Sequence, residues 1–150
     1  MSSDFEKNLN KYAEVIVKVG LNLQPGQRLL IGMPFFGILG TPIELAPLVR
    51  LIAAKAYQVG ARLVDVMWND DQLRLIRFEH APRDSFEELP AWRFDAALEA
   101  AKSGDALLIF VAANPELLIA QDTELVATYQ RTFMKHMKPT MDLRLSLIHI

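Results

Sequence analysis

Two short polar stretches carry the side chains best suited to chemistry. Asn69, Asp70 and Asp71 set two adjacent carboxylates beside an amide. Such a trio can bind a hard cation or a substrate amine. It can equally cap a helix and complement the positive end of its dipole. Asn114 and Glu116 flank Pro115. A turn followed by an acid in a first helical turn accounts for them, and a substrate contact is the alternative. A third stretch, Gly32 to Gly40, is rich in glycine and apolar side chains. It lacks the G-x-G-x-x-G spacing of a dinucleotide loop, and Gly37 is followed by Ile38-Leu39, not by the Lys and Ser or Thr of a P-loop. Phe35, Phe36, Ile38 and Leu39 in this loop read as a surface that packs on a neighbouring domain or subunit.

The rest of the ionisable inventory assigns no catalytic residue and no metal ligand. His80, His136 and His149 are scattered, whereas a metal site needs clustered ligands. Glu79-His80 is not H-E-x-x-H, and His80 fits the carboxyl end of a helix, where a cation suits the dipole. G-x-S-x-G, the usual serine-hydrolase elbow, is absent. With no cysteine, disulfides, thiolate–zinc sites and thiol nucleophiles are excluded. Asp65 lies inside an apolar run and is expected to be buried and paired. Trp68, Trp92 and Tyr57 read as core or interface anchors, since no basic groove accompanies them as a base-stacking platform requires.

The polar stretches follow apolar runs at regular intervals. Leu9, Tyr12, Ile16 and Val19 mark one face of a helix over residues 4–19, with Gly20 as a left-handed cap. Pro25-Gly26 signals a turn, and residues 28–31 a buried strand. Thr41-Pro42-Ile43-Glu44 has the form of a capping box opening a helix that Gly60 closes. Residues 62–68 read as a second strand, and Asn69 to Asp71 as the cap of a short helix to about His80, stopped by Pro82. Ser85-x-x-Glu88 is a further capping box. Pro90 marks a restart, and the helix then runs to Gly104. Residues 106–111 form a third strand, and Asp122 or Thr123 caps a last helix ended by Pro139. The order predicts an α/β fold: a three-layer, Rossmann-like parallel sheet flanked by helices. Three strands are few for such a sheet, so the domain is expected to be incomplete, a truncated piece covering residues 1–144. Residues 145–150 fit no helical face. They read either as a fourth strand or as a non-native tail resembling translated adapter sequence.

The chain has 150 residues, 51% of them hydrophobic and 23% charged, with 16 Lys and Arg against 18 Asp and Glu. That is the composition of an ordinary globular domain. A net charge of −2 gives no electrostatic footprint for nucleic acid or an anionic membrane. No apolar stretch approaches the roughly 20 residues of a membrane span, and the polar start is unlike a secretory signal. A cytoplasmic location is the expectation.

Several runs resemble the metalloaminopeptidases of the aminopeptidase T and aminopeptidase S group. They are Leu9 to Gln27, Ala46 to Arg50, Ala56 to Ala61 and Gly104 to Leu108. The most specific is Val64-Asp65-Val66-Met67-Trp68-Asn69-Asp70-Asp71, continued by Arg77 to Pro82. The likeness spans Leu9 to Lys138 and departs at Pro34 to Pro42, where the loop is longer. It implies an amino-terminal α/β domain that shapes a homodimer interface and walls the cleft, with Asn69, Asp70, Asp71, Asn114 and Glu116 as wall candidates. It further implies a peptide substrate and two divalent ions, zinc or cobalt, held in full-length relatives by residues beyond Ile150. By that reading the 150-residue piece binds no metal and is inactive. From the residues alone, a Rossmann-type module for a nucleotide or small ligand is the alternative.

Overall fold

The computed structural model describes residues 3–112 and 114–148. Ala113, His149 and Ile150 lie outside them, and with them part of the third loop and the end of the tail discussed above. The chain opens with α1 (Ser3–Val15), which passes into a π-helical turn, Ile16–Gly20. Strand β1 (Arg28–Ile31) follows, then the glycine-rich loop and the two-residue strand β2 (Thr41–Pro42). Next come α2 (Ala46–Gln58), β3 (Leu63–Val66), β4 (Trp68–Asn69) and α3 (Asp71–His80). A 3-10 turn, Arg83–Glu87, leads to α4 (Ala91–Lys102), β5 (Ala106–Leu108) and the long α5 (Thr123–Ile148).

The main sheet has the order β3-β1-β5, and both pairings are parallel. Strand period two sends alternate residues of β1 to opposite faces. Leu29 and Ile31 join Ala13, Val17, Leu48, Val49, Ile52 and Ala56 on the side of α1 and α2. Leu30 joins Phe94, Ala97, Phe133 and Met137 on the side of α4 and α5. Helices thus cover both faces, which is the three-layer arrangement the apolar runs imply. A smaller cluster of Phe78, Phe86, Leu125 and Tyr129 ties α3 and the 3-10 turn to α5.

Several local expectations are overturned. The buried face of the first helix is Ala13 and Val17, while Tyr12 and Val19 are exposed. The small Ala13 side chain leaves room for α2. Gly20 is not left-handed. The helix ends instead through a long-reach bond from Leu21 N–H to the Ile16 carbonyl, and Asn22 takes the positive φ of 45°, which its short polar side chain tolerates. Thr41 is a strand residue and not a cap. Its N–H donates to the Met67 carbonyl and its hydroxyl is buried without a partner. The expected strand 62–68 is broken at Met67, whose N–H still bonds the Ile31 carbonyl while its own carbonyl turns to Thr41. The chain changes partner there, from β1 to β2. The third strand ends at Leu108, where the pairing closes with Gly32 N–H on the Leu108 carbonyl. Ser85 lies within the 3-10 turn and bonds the Pro82 carbonyl, so it caps nothing. Asp65 is exposed, and its carboxylate accepts from the next backbone N–H, of Val66.

Pro139 does not stop the last helix. A proline within a helix forfeits one backbone bond and costs about 3 kcal/mol. Tyr129, Phe133, Met137 and Thr140 are all buried at helical spacing on one stripe, and burial of that stripe offsets the loss. The same helix runs through residues 145–148, which excludes the fourth-strand reading for them. Asp70 and Asp122 cap as expected. Asp70 accepts from Gln72 and Leu73 N–H, and Asp122 from Glu124 and Leu125 N–H. Pro90 precedes α4 directly.

Gly32 has φ +86°, and a Cβ there would lie 2.3 Å from Thr41 Oγ1 and 2.4 Å from the Met67 carbonyl oxygen. Gly26 has φ +81° with open space around it. Gly32→Ala therefore combines a left-handed penalty with a steric clash and is expected to cost about 3 kcal/mol or more. Gly26→Ala bears the backbone penalty alone, about 1 kcal/mol. Chemical denaturation of the two variants measures the difference, and equal losses would contradict the packing described at the β1–β2–β4 seam.

Candidate functional site

In parallel α/β sheets ligands sit beyond the carboxyl ends of the strands. Here those ends lead to the loop after β1, to β4 with the start of α3, and to the segment after β5. The loop after β1 folds into a two-residue hairpin. Phe35 and Ile38 exchange backbone hydrogen bonds of 2.9 and 3.0 Å, and Phe36 and Gly37 between them have φ of 44° and 82°. Two consecutive positive φ values are the mark of a tight primed turn. Phe36 is left exposed, whereas Ile38 is buried; Phe35 and Leu39 are half-buried. Of the four proposed interface residues, then, Phe36 presents the largest free surface.

The hairpin is anchored from behind by side chains of α3, α4 and α5. The Tyr129 hydroxyl donates to the Gly37 carbonyl at 2.7 Å, and Arg74 Nη1 reaches the same oxygen at 3.4 Å. Arg93 Nη1 donates to the carbonyls of Leu39 at 2.6 Å and Trp68 at 2.8 Å, joining the loop to β4. Arg77 Nη2 donates to the carbonyls of Ser85 and Glu88. Burial pushes the Tyr129 phenol above its ordinary 10.0, against the opposing pull of Arg74, Arg77 and Arg93. Burial also pushes the Arg93 guanidinium below its usual value.

These groups border a cleft of about 530 Å3 lined by Leu39, Ile43, Trp68, Asn69, Asp70, Leu73, Arg74, Arg77, Pro90, Trp92, Arg93 and Tyr129. It opens beyond β3. Of the sequence candidates, Asn69 and Asp70 line it, and Asp71 adjoins it through Asn69 Nδ2 at 3.1 Å and Arg74 at 3.8 Å. Asn114 and Glu116 do not line it. They are exposed and bond each other, Glu116 N–H to Asn114 Oδ1 at 3.0 Å. Sequence reasoning missed the three arginines and Tyr129. Arg74 and Arg77 stand at helical spacing after the Asp70 cap, and that was the available signal.

The loop after β1 is not built as a phosphate loop. No helix starts at Gly32, and the amino terminus of α3 is already occupied by the Asp70 carboxylate, so neither offers free N–H groups to an anion. His136 bonds the Thr132 carbonyl and packs on Phe94, and exposed His80 lies beside Glu79. Among the described residues no three His, Asp or Glu side chains gather as a metal would require, so they do not fit a two-metal group.

Residues 5–146 match the family described as thermophilic metalloprotease (M29). The chain is 46% identical over 128 residues to Aminopeptidase 2 of Geobacillus stearothermophilus, covering 85% of this chain and 29% of that protein. It is 34% identical over 138 residues to Aminopeptidase T of Thermus thermophilus, covering 92% and 32%. The solved structure of wild-type AmpT from Thermus thermophilus superposes with a TM-score of 0.82 at 33% identity, over 93% of this chain and 33% of that one. The chain thus spans about a third of the length of these relatives.

Tyr129→Phe removes the donor to a buried carbonyl and is expected to destabilise the fold by about 1–3 kcal/mol. Because the folded phenol titrates above its unfolded value, its contribution is complete below pH 10 and is lost as pH rises through the folded pKa. Denaturation midpoints across the alkaline range should fall more steeply for the parent chain than for Tyr129→Phe. Parallel curves would sink the assignment.

Proposed function

The chain belongs to the thermophilic metalloprotease family M29, and we propose that it is the amino-terminal α/β part of a metal-dependent aminopeptidase that removes amino-terminal residues from peptides. The observation that carries the reading is the continuous match across residues 5–146, at 46% identity with an aminopeptidase. The fold supports it: a rigid α/β layer presents a preformed cleft on one face, as a wall of a substrate site must.

By this reading the metal ligands belong to a following region, since the Asp, Glu and His side chains described here do not cluster. Two divalent ions, zinc or cobalt, would supply the Lewis acidity for amide hydrolysis. This chain's own contribution is to shape the cleft, line it with the apolar faces of Trp68 and Trp92, and fix Asn69 and Asp70 at its rim. A homodimer with Phe36 near the contact, and residence in the cytoplasm, belong to the same proposal. No helix among the described residues is long and apolar enough to cross a membrane.

The reading frame downstream of residue 150 tests this directly. It should encode a cluster of Glu, His and Asp, and the whole protein with zinc or cobalt should cleave leucine p-nitroanilide until a chelator is added. The 150-residue chain under the same conditions should show no turnover. A continuation without such a cluster defeats the proposal, and metal-dependent cleavage by the 150-residue chain defeats the placement of the active site.

A further inference from the structure

The cleft beyond β3 holds more positive charge than its walls use. Arg74, Arg77 and Arg93 all line it, and each guanidinium carries five N–H donors. Arg77 and Arg93 each hold two backbone carbonyls with a single terminal nitrogen. Arg74 is bound less completely. Its Nη1 contact is 3.4 Å, its approach to Asp71 is 3.8 Å, and its Nε is buried with no hydrogen-bond partner. Nε is enclosed and out of a ligand's reach, but Nη1 and Nη2 carry donors that these long contacts leave largely unmet, and an acceptor entering the cleft would meet them.

The charge count selects the kind of acceptor. Asp70 lines the cleft with the three guanidiniums and Asp71 lies 3.8 Å from Arg74, so two negative charges face three positive ones. One Asp70 oxygen is already committed to two backbone N–H groups. A singly charged carboxylate balances the site, and a doubly charged phosphate exceeds it. The remaining wall is apolar and open to water: Trp92 is 60% exposed, Leu73 65% and Ile43 51%. Such surfaces suit a ligand whose anionic end is joined to an uncharged organic body.

We propose that this cleft binds the C-terminal carboxylate of a short peptide, with Arg74 as the donor and Trp68 and Trp92 flanking the adjoining residues. Peptides as the ligand class come from the aminopeptidase reading; the largely unmet Arg74 Nη donors and the charge count stand without it. The consequence is discrimination between a peptide acid and its amide.

The chain contains two tryptophans, and both line the cleft, so intrinsic emission reports on occupancy without any catalysis. Leucylglycylglycine should give a saturable shift, its C-terminal amide should bind at least about ten-fold more weakly, and acetate at equal concentration should leave the emission unmoved. Arg74→Gln should weaken the acid about ten-fold, the loss of one charge-assisted bond. Equal responses to acid and amide overturn the carboxylate assignment, and an acetate response matching the peptide's overturns the peptide. Far-UV circular dichroism checks that each protein is folded. Where the 150-residue chain is not, the acid-over-amide ratio of kcat/KM in the full-length enzyme decides. A preference of about ten-fold, lost in Arg74→Gln, supports the site, and a ratio near one in the parent enzyme overturns it. Because the titration reads binding alone, its failure leaves the aminopeptidase reading standing, and an inactive full-length protein leaves the titration result standing.

Discussion

Backbone carbonyls that turn away from the sheet need donors, and the site grows from how this chain supplies them. The hairpin after β1 points the Gly37 and Leu39 carbonyls inward, and β4 adds that of Trp68. Tyr129 and Arg93 meet all three. Buried carbonyls without partners would cost as much as lost hydrogen bonds. Hence α4 and α5 must stand where their side chains reach the loop, and the space between loop, β4 and α3 becomes the cleft.

Those same donors give the cleft its electrostatic character. Arginine suits this double duty because its planar fork can hold a carbonyl with one nitrogen and present others elsewhere. The opposite displacements of Tyr129 and Arg93 share one cause, the removal of water, which disfavours the charged form of each. An interior that weakens bare charge in this way strengthens any compensating partner. The cleft is therefore both a structural joint and a surface on which guanidiniums outnumber carboxylates.

The change of strand partner at Met67 is the second determinant. Had the chain continued along β1, Trp68 and Asn69 would have stayed in the main sheet. By turning to Thr41 instead, it forms the short β2–β4 pair and delivers Asn69 and Asp70 to the cleft edge. Gly32 permits this, since its missing Cβ lets Thr41 and Met67 close over it. Nothing in the local pattern of residues 62–68 places a break at Met67, because Val64, Val66, Met67 and Trp68 around it all suit extended backbone.

What the sequence by itself determined was whatever depends on neighbours along the chain. The apolar runs and their spacing set a parallel sheet with helices on both faces. Asp70 and Asp122 announced their helix starts, and the motifs from Val64 to Pro82 pointed to the family that the comparisons show. What depended on distant residues was not legible. Pro139 reads as a helix stop until the buried stripe from Tyr129 to Thr140 is seen. Thr41 reads as a cap until Met67 is seen to claim its N–H. Arg74, Arg77, Arg93 and Tyr129 read as ordinary surface or core residues, from three helices spread over 56 positions of sequence. Only packing brings them together, because the donors and the carbonyls they satisfy are joined through space, and the three-residue step from Arg74 to Arg77 announces neither Arg93 nor Tyr129.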